Sequence, residues 1–347
     1  MMWKLCALLS AAAVAFGAGC MSAPENKSVE VASFKGVQVT GITVSDTGRM
    51  FVNFPRWRKG VPFSVVEIGK EGGRRVYPDS ETNTWEVGDK VVPGRFVCVQ
   101  SVVAHGDRLY VLDTKNPLMK GIIAPPELYV YDLKTDRLER TYPLAASTKK
   151  NSYVNDLRVD DKNGKIYLTD SGSPGLIVLD IAGGRSYRVL DGSPMTTAET
   201  DSLMIGDVKY TGKVHSDGIA LDRKNGILYF HALTGHTLYG IPTSRLLSCK
   251  IAGRDLFKMQ TPAPDGMIMD ADGNLIMGDL ENNAIVYLTP DRKKLKCLAA
   301  GDGISWPDTF AIHDGQLYFT NSRIHEAQGD ISDMEFTVRK VSLPGAR

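Results

Sequence analysis

The sequence predicts an all-β fold, a six-bladed β-propeller built as a single domain. Three observations lead there. Beyond residue 30 no apolar stripe with helical spacing persists, whereas short alternating or β-branched runs are broken by Gly, Asp and Asn. One pattern, an apolar run, a polar Gly-containing turn and a second apolar run, occurs six times: "GITVSDTGRMFVNF", "SVVAHGDRLYVLDT", "DLRVDDKNGKIYLTD", "GIALDRKNGILYFHAL", "GMIMDADGNLIMGDL" and "TFAIHDGQLYFTNS". The copies open near Ile42, Val102, Leu157, Ile219, Met267 and Thr309, at intervals of roughly 40 to 60 residues, the length of a four-stranded blade.

Within each copy the Gly supplies the positive φ that a tight turn needs, so the two runs pair as a hairpin. A third strand follows in "PELYVYDL", "GLIVLDI", "HTLYGIP" and "NAIVYLTP", and a fourth in "RLERTYPL", "RSYRVL" and "KLKCL". A ring of such units closes on itself and hides its sheet edges, which a solenoid or paired sandwiches of the same units would leave open.

Composition agrees with a folded body: 43% of the 347 residues are hydrophobic and 23% charged. Forty-one basic and 40 acidic residues leave a formal charge of +1, so no global field favours nucleic acid. The one dense basic cluster, Arg292 to Lys296, reads as a solvated hairpin edge.

The expected domain organisation is a signal peptide over 1–20, a flexible tether over 21–33 and the propeller over 34–347. Lys4 precedes an apolar stretch from Leu5 to Phe16 that is too short to span a bilayer. The stretch ends in "GAGC", which resembles a bacterial lipobox with Cys20 as the lipidation site. Gly17 departs from the Leu-like residue usual there, so ordinary signal cleavage is the alternative. Export to the periplasm or cell surface follows, with membrane contact only through a lipid anchor on Cys20. Of the five cysteines, Cys98, Cys249 and Cys297 then remain, enough for one disulfide and a spare thiol or for three free thiols.

In a propeller the first strand of each blade lines the central channel, so residues at its start gather at one mouth. Gln100, Asn155, Asp217, Asp265 and Asp308 hold that place in blades two to six, with Thr40 in blade one. An Asp before Gly at a strand entry also commonly caps turn N–H groups and does no chemistry.

The repeated phrases resemble the Yellow and major royal jelly protein family in its bacterial branch. The resemblance is carried by "GVQVTGITVSDTGRMFVNFPRW", "FVCVQSVVAHGDRLYVLDT", "VNDLRVDDKNGKIYLTDSGSPGLIVLDI", "HSDGIALDRKNGILYFHALTGHTLYGIP" and "SWPDTFAIHDGQLYFTNS", and runs from roughly residue 36 to 326. It implies the six-bladed fold, secretion, and either dopachrome conversion or the binding of small amines and other ligands. A more distant similarity is to gluconolactonase and senescence-marker propellers, which hold a divalent cation with one Glu, two Asn and one Asp. Asn155 and Asp265 match that set by type, Asp217 stands for the second Asn, and Thr40 stands where the Glu should be.

Two chemistries follow. Asn155, Asp217 and Asp265 supply oxygens for one divalent cation, Ca²⁺, Zn²⁺ or Mn²⁺, which would serve a lactonase or esterase. Without a metal, neighbouring carboxylates repel, one pKa rises, and Asp217 with Asp265 becomes a catalytic acid–base pair for an isomerase. The partner expected at the mouth is a small-molecule ligand, held by Gln100, Asn155, Asp217, Asp265, Trp306 and Asp308. Arg56 and Trp57 are candidates for the same mouth, and His215 for a proton shuttle. A non-catalytic binding module is the third reading. Walker, dinucleotide and nucleophile-elbow signatures are missing.

Overall fold

The computed structural model describes residues 26–69, 72–247, 251, 256–301 and 303–345. The expected signal segment, Cys6, Cys20 and Cys249 lie outside them. Among the described residues twenty-six strands form six four-stranded antiparallel sheets and one two-stranded hairpin. Blade 1 comprises β2 (Gly41–Val44), β3 (Met50–Asn53), β4 (Val65–Ile68) and β5 (Arg74–Val76). Blade 2 runs from β6 (Val99–His105) through β7 (Arg108–Asp113) and β8 (Glu127–Asp132) to β9 (Arg137–Pro143). Blade 3 holds β10 (Val154–Asp160), β11 (Lys165–Asp170), β12 (Gly175–Asp180) and β13 (Ser186–Val189).

The hairpin β14 (Ser202–Ile205) and β15 (Val208–Thr211) follows. Blade 4 is β16 (Ser216–Asp222), β17 (Ile227–Ala232), β18 (Thr237–Pro242) and β19 (Phe257–Gln260); blade 5 is β20 (Met267–Met269), β21 (Leu275–Asp279), β22 (Ala284–Leu288) and β23 (Leu295–Ala300). Blade 6 takes β24 (Pro307–His313), β25 (Gln316–Asn321) and β26 (Glu335–Ser342) from the C-terminal end, and β1 (Val29–Lys35) from the N-terminal end as its outer strand.

That last pairing corrects the expected tether. Residues 29–33 are not a linker but part of β1, which pairs antiparallel with β26 in register Val29↔Lys340 to Lys35↔Glu335. The chain ends thereby lock the ring, because blade 6 cannot complete its sheet without residues from the other end of the chain.

Each blade is apolar on both faces, and the period-2 alternation of a strand sends successive side chains to opposite neighbours. In β7, Leu109 and Val111 pack with Phe51 and Val65 of blade 1, whereas Tyr110 and Leu112 pack with Leu157 and Ile166 of blade 3. The same division recurs round the ring, and Phe34 of β1 joins Ile42 and Val52 between blades 6 and 1. Each fully buried Leu, Ile or Phe contributes about 1.5–3 kcal/mol of transfer free energy. The innermost strands make a closed cycle, β2 against β6, β6 against β10, β10 against β16, β16 against β20, β20 against β24 and β24 against β2.

Cys297 is disulfide-bonded, and Cys98 is a buried free thiol whose pKa burial pushes up to about 12. Among the described residues no helix is long and apolar enough to cross a membrane.

Candidate functional site

Five of the six strand-entry residues meet at one polar cavity at the channel mouth. Gln100, Asn155, Asp217, Asp265 and Asp308 line it together with Ser101, Asp156, Gly218 and Thr309. The cavity is small, room for about one water-sized particle.

β-bulges aim these side chains. Val99 pairs with Asp113 and Ser101 with Leu112, which leaves Gln100 without a partner. Register shifts of the same kind leave Asn155 and Asp156 out of the ladder in blade 3, Asp217 and Gly218 in blade 4, and Asp308 and Thr309 in blade 6. A bulge lets consecutive residues face the same way, and it recurs beside functional sites for that reason. Asp156, Ser101 and Thr309 were therefore invisible to a reading that assigned one axial residue per blade: strict alternation would have turned them away.

The Asp-Gly pairs have a packing cause. A Cβ on Gly218 would lie 2.7 Å from the carbonyl oxygen of Asp265, and one on Gly266 would lie 2.8 Å from that of Asp308. Glycine lets the backbones of adjacent innermost strands approach at the axis. Threonines then bind the bulges together: Thr169 Oγ1 accepts from Asp156 N at 3.2 Å and donates to the Asp217 carbonyl at 2.8 Å. Thr320 repeats this between Thr309 N and the Thr40 carbonyl.

The carboxyl groups of Asp217, Asp265 and Asp308 are 3%, 8% and 8% exposed, too buried for three independent anions. Burial first, then Asp308 and Asp156, pushes the Asp217 pKa well above the usual carboxylate range. Burial and Asp217 do the same to Asp265, and burial and Asp265 to Asp308. Asp156 is held differently, by an ion pair to Arg158 at 2.8 Å and by Ser101 Oγ at 2.8 Å. Arg158 also donates to the Met267 carbonyl at 2.7 Å.

The donors around the pair limit where a proton can sit. Asn155 Nδ2 donates to Asp217 Oδ2 at 2.8 Å, and Trp306 Nε1 donates to Asp265 Oδ2 at 2.6 Å. Asp217 and Asp265 are in addition hydrogen-bonded to each other through their side chains. A contact between two carboxyl groups has no donor unless one of them is protonated, so at least one of the two holds a proton where they meet. The Asp265 carboxyl thus bonds to an indole and a second carboxyl, which is not the turn-capping arrangement open to an Asp before Gly.

The other expected residues fall as follows. Trp306 is fully buried behind Asp265 with left-handed backbone (φ 54°), stacked on His325 and edge-on to Tyr210 of β15. It orients Asp265 from behind instead of offering a face to a ligand. Burial, then the charge of Asp217 and Asp265, lifts the pKa of Tyr210 to about 12. Arg56 is buried away from the mouth, bonded to Ser64 and to the carbonyls of Asn83, Phe96 and Val97. Trp57 is half-buried and reaches the site through Tyr153. His215 Nδ1 accepts from Ala198 N at 3.1 Å, outside the cavity lining.

The donor set does not fit a resident cation in this arrangement. Asn155 turns its NH₂ to Asp217 and its oxygen to Gln100 Nε2 at 3.2 Å, so the oxygen a cation requires faces away from the acids. Thr40, at the position of the expected Glu, is fully buried, and its hydroxyl accepts from Asn53 Nδ2 at 3.1 Å. No cluster of three or more His, Cys, Asp and Glu side chains able to hold an ion occurs among the described residues.

A family model described as "Major royal jelly protein" matches residues 98–343, from the entry to blade 2 through blade 6. The chain belongs to the major royal jelly protein family. This family member is 28% identical over 227 residues to a dopaminechrome tautomerase of Drosophila melanogaster, covering 60% of this chain and 48% of that protein. It is 24% identical over 259 residues to major royal jelly protein 5 of Apis mellifera, covering 69% and 42% respectively. The chain thus spans about half the length of these curated relatives. Among solved structures, a gluconolactonase from Xanthomonas campestris superposes with TM-score 0.56 at 13% identity, covering 89% of this chain and 87% of that one. A virginiamycin B lyase from Staphylococcus aureus gives 0.53 at 14%, covering 92% and 100%. At these identities the likeness is one of fold.

Proposed function

We propose that this royal jelly family member binds a small polar or aromatic metabolite across the channel mouth and isomerises it by proton transfer. The observation that carries the reading is a pair of buried carboxyls, in contact and both held well above the usual carboxylate range by burial, opening onto a polar cavity. Asp217, which accepts from Asn155 and from Asp265, is the base, and Asp265, which holds the proton where they meet, is the acid. The cavity admits only a water-sized group, so the reacting edge of the substrate enters while its ring lies above.

The resemblance to a dopaminechrome tautomerase supports an aminochrome, a cyclised catechol quinone, as substrate. Asp217 takes the proton of an activated ring C–H and its electron pair moves into the ring. The quinone oxygen at the far end receives the proton of Asp265. The product is an isomer, and no oxidant or reductant is consumed.

Export and attachment through Cys20 complete the proposal and would place the site outside the cytoplasm. The test is the decay of aminochrome absorbance with purified protein. Acceleration over buffer supports the reading; saturable binding without acceleration overturns it in favour of a binding module.

A further inference from the structure

The cavity residues belong to a longer chain of hydrogen bonds that visits all six blades. Trp57, between β3 and β4, donates its indole N–H to the Tyr153 hydroxyl. Tyr153 donates to Gln100 Oε1 at 2.6 Å, Gln100 Nε2 to Asn155 Oδ1 at 3.2 Å, and Asn155 Nδ2 to Asp217 Oδ2 at 2.8 Å. Asp217 meets Asp265, and Asp265 accepts from Trp306 at 2.6 Å. Blades 1, 3, 2, 3, 4 and 5 are linked in that order, and Trp306 closes the chain at the entry to blade 6.

Both ends are indoles, which donate and cannot accept. The Trp57 N–H occupies the Tyr153 oxygen, so the hydroxyl proton must point onward. It then meets the oxygen of the Gln100 amide, which turns the NH₂ to Asn155, and the oxygen of Asn155 must answer it. That leaves only the Asn155 NH₂ to face Asp217. The Asn155 NH₂ also donates to Ser171 Oγ at 2.8 Å, and in the chain a flip of either amide sets two donors or two acceptors against each other.

We infer that Trp57 and Tyr153 are positioning residues for the Asp217–Asp265 pair, acting through the enforced direction of the Gln100 and Asn155 amides. Neither touches the pair. Their effect is to present a donor, not an oxygen, to Asp217, and so to fix which of its oxygens remains for Asp265. The inference concerns the orientation of the site and rests on the proposed acid–base reading only in its activity arm.

The test reads one end of the chain after cutting the other. In ¹⁵N-labelled protein the indole N–H resonances of Trp57, Trp85 and Trp306 are assigned by single Trp→Phe variants. Trp85 is 2% exposed, shares a hydrophobic cluster with Trp57 and has an N–H with no hydrogen-bond partner among the described residues, so its resonance reports local disturbance at the Trp57 end. Tyr153→Phe removes the hydroxyl and nothing else. We expect the Trp57 resonance to move, and the Trp306 resonance to move with it although five hydrogen bonds separate Tyr153 from that indole.

A Trp306 signal unchanged in a folded Tyr153→Phe variant overturns the inference. If that variant does not fold, Trp57→Phe at a half-buried loop position carries the same readout, the Trp306 resonance. In the activity arm, aminochrome kcat falls about tenfold in Tyr153→Phe with KM unchanged. If the wild type turns over no aminochrome, the functional reading fails while the resonance test still decides the positioning.

Discussion

Replacing Asp265 by Asn separates its service as proton carrier from its service as hydrogen-bond partner. The amide oxygen still accepts from Trp306 Nε1, which lies 2.6 Å from the carboxylate in the native site. The amide NH₂ supplies Asp217 with the donor that otherwise comes from the carboxyl proton. Only the transferable proton is lost. General acid–base catalysis contributes about 10²–10⁴-fold, so aminochrome turnover should fall by that factor, about 3–5 kcal/mol of barrier.

Stability should move the other way. Burial and Asp217 raise the folded pKa of Asp265 above its ordinary value of 3.8, so the native state holds that proton more tightly than the unfolded chain does. The resulting stability is fully present below the unfolded pKa and is lost as pH rises through the folded one. The Asn variant suffers no such loss, so its melting temperature relative to wild type should climb as pH rises from about 4. Asp265→Ala, by contrast, leaves the buried indole N–H without a partner, a cost of about 1–3 kcal/mol. Initial rates and thermal melts of the three proteins from about pH 4 to pH 8 make the comparison. An Asn variant within about threefold of wild-type rate, or as unstable as the Ala variant, would refute the reasoning.

Three further outcomes are expected. Exhaustive chelation should leave both turnover and melting temperature unchanged, and a divalent ion retained by purified protein and lost in Asp265→Asn would contradict the amide orientation of Asn155. Thr320→Val keeps the side-chain shape but strands Thr309 N, which is half-buried, and the buried Thr40 carbonyl, and should cost about 1–3 kcal/mol in denaturant melts. The His236–Glu281 bridge, 2.7 Å long, raises the His236 pKa, and Glu281 also accepts from Met204 N of β14. Its stabilisation is full below the ordinary histidine value of 6.5 and fades as pH rises through the raised one. His236→Gln should remove that dependence from melts taken across neutral pH.

Much of the ring was legible in the sequence because a blade is a local object. Each hairpin turn is set by a Gly and its polar neighbours, and each strand by an apolar run, all within about a dozen residues. The outer strand of blade 6 was not legible as such. Val29–Lys35 is an ordinary polar-apolar stretch whose partner, β26, lies some 300 residues away, and no local signal names a partner across that distance.

The site divides along the same line. Residue types at strand entries marked Gln100, Asn155, Asp217, Asp265 and Asp308, since equivalent positions of a ring must converge at one mouth. The sequence could not show that bulges add Asp156, that the Asn155 amide turns its nitrogen to Asp217, or that Trp306 holds Asp265 from behind. What the sequence determined by itself is the repeat, and with it the number of blades and the gathering of acids on the axis. Only the tertiary structure decided the burial and direction of that gathering, because these depend on which groups meet across blades, and a hydrogen bond is settled by angstroms that no spacing along a chain encodes.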